Sequence, residues 1–276
     1  MNTFVKAIFY GNYWISAAAL CMTCQTQYLL TGHFDAGAPV ALFLFFGTLF
    51  IYSVHRLYAL SKAPADKVSP YRPFSLLLKI NVLISALASF TCWLLLPEAA
   101  RWWTLVPCAL AAAYISPVLP HGRRLRDIGW LKIFLIVSSW AWLTVALPAV
   151  VVGMSWSAVA VLMLFARAGF IFAIAMAFDL RDRQNDQAMG VATLAVKLGH
   201  TGSLIATGIG LLMTITIAWL LVSCDAFPHE ALRAIGLTSV AAFLFVSRST
   251  RSNLSPYFFL FGLDGLMILQ FLLLFI

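Results

Sequence analysis

Runs of about twenty apolar residues, separated by short polar turns, repeat along the whole chain. Nine can be counted, at roughly 8–30, 38–60, 74–96, 101–119, 131–151, 156–178, 203–223, 231–248 and 256–275. Each is long enough to cross the ~30 Å hydrocarbon core of a bilayer as a helix. With no water there to satisfy backbone amides, only helices or closed barrels span that core. These runs are too long and too evenly apolar for barrel strands. Composition agrees: 62% of the 276 residues are hydrophobic and 10% charged, too few polar residues to cover a soluble domain of that size. The expectation is an all-α, polytopic membrane helix bundle, one transmembrane domain over 1–276 with about nine spans.

The net charge of +8 would suit nucleic acid if it were clustered on one polar domain, but the basic residues sit in short loops between apolar runs. That distribution is a topology signal. With the N-terminus inside, the inner side collects Lys6, then Arg56, Lys62, Lys67, Arg72 and Lys79, then Arg123, Arg124, Arg126 and Lys132. Arg181, Arg183, Lys197, Arg248 and Arg251 follow, while the outer side holds Arg101 and Arg233. The reading is a multi-pass integral protein of the bacterial inner-membrane kind, with its N-terminus and its polar, candidate active-site loops on the cytoplasmic side. The lipid bilayer is its medium, and neither nucleic acid nor an obligate protein partner is inferred. Cys21 and Cys24 form a CxxC inside an apolar run and read as packing residues rather than as a metal or redox site.

The longest polar stretch follows the sixth run and begins Phe178-Asp179-Leu180-Arg181-Asp182-Arg183-Gln184-Asn185-Asp186. Asp179, Asp182 and Asp186 are spaced i, i+3, i+7, which on a helix places three carboxylates on one face. Clustered acids repel unless a cation offsets them, and an oxygen-only ligand set favours a hard ion, Mg²⁺ first. Arg181, Arg183 and Lys197 stand nearby to hold phosphate charge. The competing reading is a solvated loop whose mixed charges simply pair. The location of the motif, at the membrane end of a helix on the basic face, favours the metal.

The stretch continues to Gly190, Thr193-Leu194 and Leu198-Gly199. The whole segment resembles the second aspartate motif of the UbiA-type intramembrane prenyltransferases. Tyr114, Pro117, Arg123 and Arg124 after the fourth run resemble, more loosely, that family's tyrosine-plus-basic segment. The resemblance implies a Mg²⁺-dependent transferase that binds an isoprenyl diphosphate between two aspartate motifs. Such an enzyme ionises the diphosphate and joins the allylic cation to a lipophilic acceptor, in many cases an aromatic ring. Asp182 and Asp186, with Asp179, would hold the metal. His55, Arg56, Arg123, Arg124, Arg183 and Lys197 would bind diphosphate, and Tyr114 would face the cation.

One half of the implied site departs from the family. Its first motif, NxxxDxxxD, belongs at the end of the second run, where this chain reads Tyr52-Ser53-Val54-His55-Arg56-Leu57 and on to Ser61. Ser53, Leu57 and Ser61 replace the Asn and the two acids, and Asp66 lies further along the loop. Either the cations His55 and Arg56 bind diphosphate directly, or they anchor the helix end. Three functional classes stay open: transfer to an acceptor, a cyclase or sugar-diphosphate chemistry on the same fold, and a lipid-binding member with a half-lost site. Arg167 and Asp264 fall mid-span. Charges there are expensive, and these two are expected to pair with each other or else to line the substrate cavity.

Overall fold

A computed structural model describes residues 3–62, 69–116, 125, 128–250 and 254–276, and every regular element among them is helical. Arg123, Arg124 and Asp66 lie outside these residues. In chain order the helices are α1 (Thr3–Tyr10), α2 (Tyr13–Thr31), α3 (Pro39–Lys62), α4 (Ser75–Leu94), α5 (Glu98–Ile115) and α6 (Gly129–Ala141). There follow α7 (Leu147–Val151), α8 (Ala158–Ala188), α9 (Leu194–Ser223), α10 (His229–Arg248) and α11 (Asp264–Leu272). Two π-helical turns, Trp142–Ala146 and Phe258–Leu263, lead into α7 and α11.

Seven described segments are long and apolar enough to cross a membrane: Pro39–Lys62, Arg72–Leu94, Gly129–Val151, Ala158–Ala188, Leu194–Ser223, His229–Arg248 and Phe258–Phe275. Helices α2 and α5 coincide with two further expected spans but are more polar. Buried Thr23, Gln25, Thr26 and Gln27 run along α2, and α5 opens with Glu98 and Arg101. Among the described residues, length and composition therefore support seven of the nine expected spans. The expected first span also breaks. Asn12 takes a left-handed φ of 66°, and Asn81 from α4 donates to the freed Gly11 carbonyl at 3.0 Å. Tyr13 in turn donates to the Asn81 carbonyl at 2.7 Å.

The outward face of α4 is bare hydrocarbon, with Leu76, Leu83, Ile84, Leu87 and Phe90 exposed. In water such a wall would drive aggregation, whereas in lipid it is the ordinary exterior. With the apolar helices, this marks the chain as an integral membrane protein.

Helix α8 is the hub, packing on α6, α9 and α10. Its crossing with α9 is made by small residues: a Cβ added at Gly169 would lie 2.5 Å from the Gly210 carbonyl oxygen and 2.6 Å from Thr214 Oγ1. Thr214 uses that closeness to donate to the Ala166 carbonyl at 2.9 Å. Without a hydrophobic drive between helices in lipid, such close backbone contact and interhelical hydrogen bonds hold the pair together. Gly169→Val is expected to overpack this crossing and destabilise the fold by about 1–3 kcal/mol. The check is a lowered thermal midpoint in purified protein, with Gly236→Ala, where the added methyl meets open space, as the neutral control.

Candidate active site in the membrane bundle

Helix α8 has 31 residues, about 46 Å of helix against a hydrocarbon core of ~30 Å. Its first twenty or so residues cross the apolar layer, so Asp179 falls at the boundary and Asp182 and Asp186 beyond it. The expected long loop is therefore mostly helix, and the acids do share one side of it. The helix stops after Ala188 in a Schellman arrangement. Gly190 takes φ 71°, its N–H donates to the Gln187 carbonyl at 3.1 Å, and Val191 donates to the Asp186 carbonyl at 2.8 Å. Thr193 then caps α9 by accepting from Val196 N–H at 3.3 Å. The Gly and Thr of the motif thus make the turn rather than the chemistry.

That turn is pressed against the start of α6. A Cβ on Gly129 would lie 2.6 Å from the Ala192 carbonyl and 2.7 Å from the Thr193 nitrogen. Close approach here delivers Lys132, nearly one turn on, to Asp179: Nζ to Oδ1 is 2.7 Å, with the Asp179 side chain 3% exposed. Reading the chain for motifs passed over Lys132. It looks like a basic residue at the inner end of a span, and nothing local marks it as an inward-facing partner.

Lys132, Asp179, Arg56, Asp264 and Asn12 line a cavity of about 180 Å³ whose remaining wall is apolar, with Phe9, Trp14, Tyr52, Trp140 and Phe178 as its aromatic faces. Arg56 rests over the Tyr71 ring, 4.2 Å from its centre. Asp264 follows the π-helical turn before α11 and lies in the field of Arg56 and Arg181. The expected pairing of Arg167 with Asp264 is not formed. Arg167 hydrogen-bonds Gln25 and lines a different cavity. Tertiary packing separates two charges that looked equally isolated in their spans.

The other expected site residues divide among several places. His55 and Tyr114 line a second cavity of about 180 Å³ between α3, α5 and α6, which shares the wall residues Tyr52, Ile136 and Trp140 with the first. Asp182 is held by Arg181 through two bonds of 2.7 and 2.8 Å, and the Arg181 guanidinium also sits 4.8 Å from the centre of the Phe259 ring. Lys197 is exposed, its ammonium 5.6 Å from the Trp130 ring centre. Neither Lys197 nor Arg183 lines either cavity.

No group of three metal-ligating side chains comes together among the described residues, so the three acids do not form a closed metal cage. Carboxylate oxygens alone are the donor chemistry that suits a hard cation on this side. Asp179 Oδ2 and Asp186 Oδ2 are buried acceptors without donors, two turns apart on one helix. No such set faces them from α3, where Ser53 accepts from Asn12 Nδ2 at 3.3 Å.

Residues 72–263, more than half of the chain, match the UbiA prenyltransferase family, and the chain belongs to that family. Solved structures share the fold at low identity. One described in work on digeranylgeranylglyceryl phosphate synthase has a TM-score of 0.63 at 13% identity, covering 99% of this chain and 98% of its own. A UbiA homologue from Archaeoglobus fulgidus gives 0.61 at 14% identity with 98% of each chain covered. The same kind of homologue bound to GPP and Mg²⁺ gives 0.60 at 14% identity, covering 97% of this chain and 98% of its own. No curated protein sequence matches the chain.

The Lys132–Asp179 pair is expected to behave as a coupled unit. Lys132→Met and Asp179→Asn should each lower the thermal midpoint. The double variant should recover part of the loss, with a coupling energy of about 1–3 kcal/mol in a double-mutant cycle.

Proposed function

We propose that this protein transfers an isoprenyl group from an isoprenyl diphosphate to a lipophilic acceptor inside the membrane. The observation that carries the reading is the first cavity: Arg56 and Lys132 line it beside Asp179, Asp264 and Asn12, and its remaining wall is aromatic and aliphatic, within the UbiA fold. A diphosphate needs cations and its chain needs hydrocarbon, and this cavity offers both. The GPP and Mg²⁺ held by the Archaeoglobus fulgidus homologue of the same fold support that substrate class.

In this reading Arg56 and Lys132 bind the diphosphate oxygens, Lys132 exchanging Asp179 for phosphate. Arg181, beside Asp182 at the end of α8, adds positive charge. Asp179, Asp182 and Asp186 would hold Mg²⁺, which when bound would supply further positive charge at the diphosphate. The C1–O bond breaks with its electrons going to the diphosphate. Trp14, Tyr52, Trp140 and Phe178 present π faces to the allylic cation, and the surrounding hydrocarbon excludes water that would quench it. The acceptor occupies the second cavity and reaches C1 past Tyr52 and Trp140. His55 takes the proton that the acceptor loses. Arg123 and Arg124 would also bind diphosphate, and the excess of basic residues in the loops supports a cytoplasmic site.

A second reading draws on one specific feature: Asp179 and Asp182 are both already ion-paired within the chain. A protein that binds a phosphorylated lipid without cleaving it would need no more than this.

The test is pyrophosphate release by protein in lipid nanodiscs given allylic diphosphates of several lengths and a lipid extract as acceptor source. Transfer predicts Mg²⁺-dependent release that falls about 10²–10³-fold in Asp182→Ala/Asp186→Ala. Extraction of the product separates transfer from cyclisation. Saturable diphosphate binding without release would favour the second reading. Arg56→Ala is expected to raise KM at least about tenfold through loss of a charge-assisted phosphate contact, and unchanged affinity would remove Arg56 from the site.

A further inference from the structure

Arg167 lies midway along the membrane-crossing part of α8 and is 5% exposed. Its Nη2 donates to Gln25 Oε1 at 2.9 Å and reaches Thr26 Oγ1 at 3.5 Å, both neutral acceptors on α2. Neither partner is charged, and the ion pairs Lys132–Asp179 and Arg181–Asp182 do not include it. A guanidinium stays protonated in proteins, so this is a permanent positive charge in the apolar layer with no counter-ion among the described residues. Such a charge is strongly unfavourable unless something answers it.

Two donors at this place are buried without acceptors, Arg167 Nη1 and Gln25 Nε2. The Gln25 amide cannot be turned round to relieve this, because its oxygen is the acceptor that Arg167 needs. Both residues line a cavity of about 20 Å³ with Thr214 and Gln270, closed by apolar side chains such as Phe170 and Leu221. The neighbouring polar groups are engaged elsewhere. The Thr214 hydroxyl bonds the Ala166 carbonyl, and Gln270 Nε2 donates to Thr238 Oγ1 at 2.8 Å. The space suits one small guest. Its wall offers N–H donors and a net positive charge, so a guest that only accepts hydrogen bonds and carries negative charge answers both deficits. A water molecule can accept from both donors but leaves the charge unanswered.

We infer that Arg167 and Gln25 form a binding site for one small monatomic anion of the chloride class, which ties α2 to α8 in the middle of the bundle. The site is separate from the cavity of Arg56 and Lys132 and does not depend on the proposed transfer reaction.

The test uses the full chain in lipid nanodiscs at constant ionic strength, with sodium chloride, sodium bromide or sodium gluconate. The thermal midpoint is expected to rise saturably with chloride and with bromide and to stay flat in gluconate. Bromide in crystals should give one anomalous peak between Arg167 and Gln25. Arg167→Gln should abolish the halide response. Since that variant risks misfolding, Gln25→Glu is the decisive one: it gives the guanidinium a carboxylate within the chain. It should remove the halide response while keeping, in gluconate, at least the stability that the native protein shows in chloride. Equal midpoints for the native protein in all three salts would overturn the proposal, and so would a halide response that survives Gln25→Glu.

Discussion

A bilayer core offers no water to solvate a charge, so a charged side chain inside this bundle needs a partner. Lys132 is answered by Asp179, Arg181 by Asp182, and Asp264 by the field of Arg56 and Arg181. Arg167 alone among these meets neutral acceptors from the chain. The bundle is organised around these pairings. Helix α6 is held against α8 where Lys132 meets Asp179, and α11 turns Asp264 inward just after a π-helical turn. Such turns recur where a helix must re-aim a side chain.

Small residues make those approaches possible. Gly129 lets the first turn of α6 touch the Ala192–Thr193 backbone, and that contact sets how far Lys132 reaches. Gly169 plays the same part deeper in the membrane, where α8 meets α9. A Cβ at Gly129 would clash with the Ala192–Thr193 backbone, so the placing of Lys132 in the charged cavity rests on the absence of a methyl group elsewhere.

The altered first motif changes the electrostatic character of the cavity. Where two further acids would demand a second cation, α3 presents Arg56 to the first cavity and His55 to the second, and Ser53 bonds Asn12. Fixed positive charge on the protein then stands where the family pattern would place negative charge. In the proposed reaction this shifts part of the work of holding diphosphate from a bound ion to side chains.

The sequence alone determined the class of fold, the aspartate motif and the family. Each is written in short-range pattern: apolar runs the length of a membrane crossing, acids at i, i+3 and i+7, and turn residues that stop α8 and cap α9. It also showed that the first motif was gone. It did not show which side of a helix a lone charge faces. The partner of Lys132, the separation of Arg167 from Asp264, the break at Gly11–Asn12 and the sorting of His55 and Arg56 into two cavities were decided by tertiary packing. The reason is physical. In a span that is apolar on every face there is no amphipathic stripe to mark the inward side. A charge's surroundings are then set by residues far away in the chain, such as the glycines that let particular helices come close.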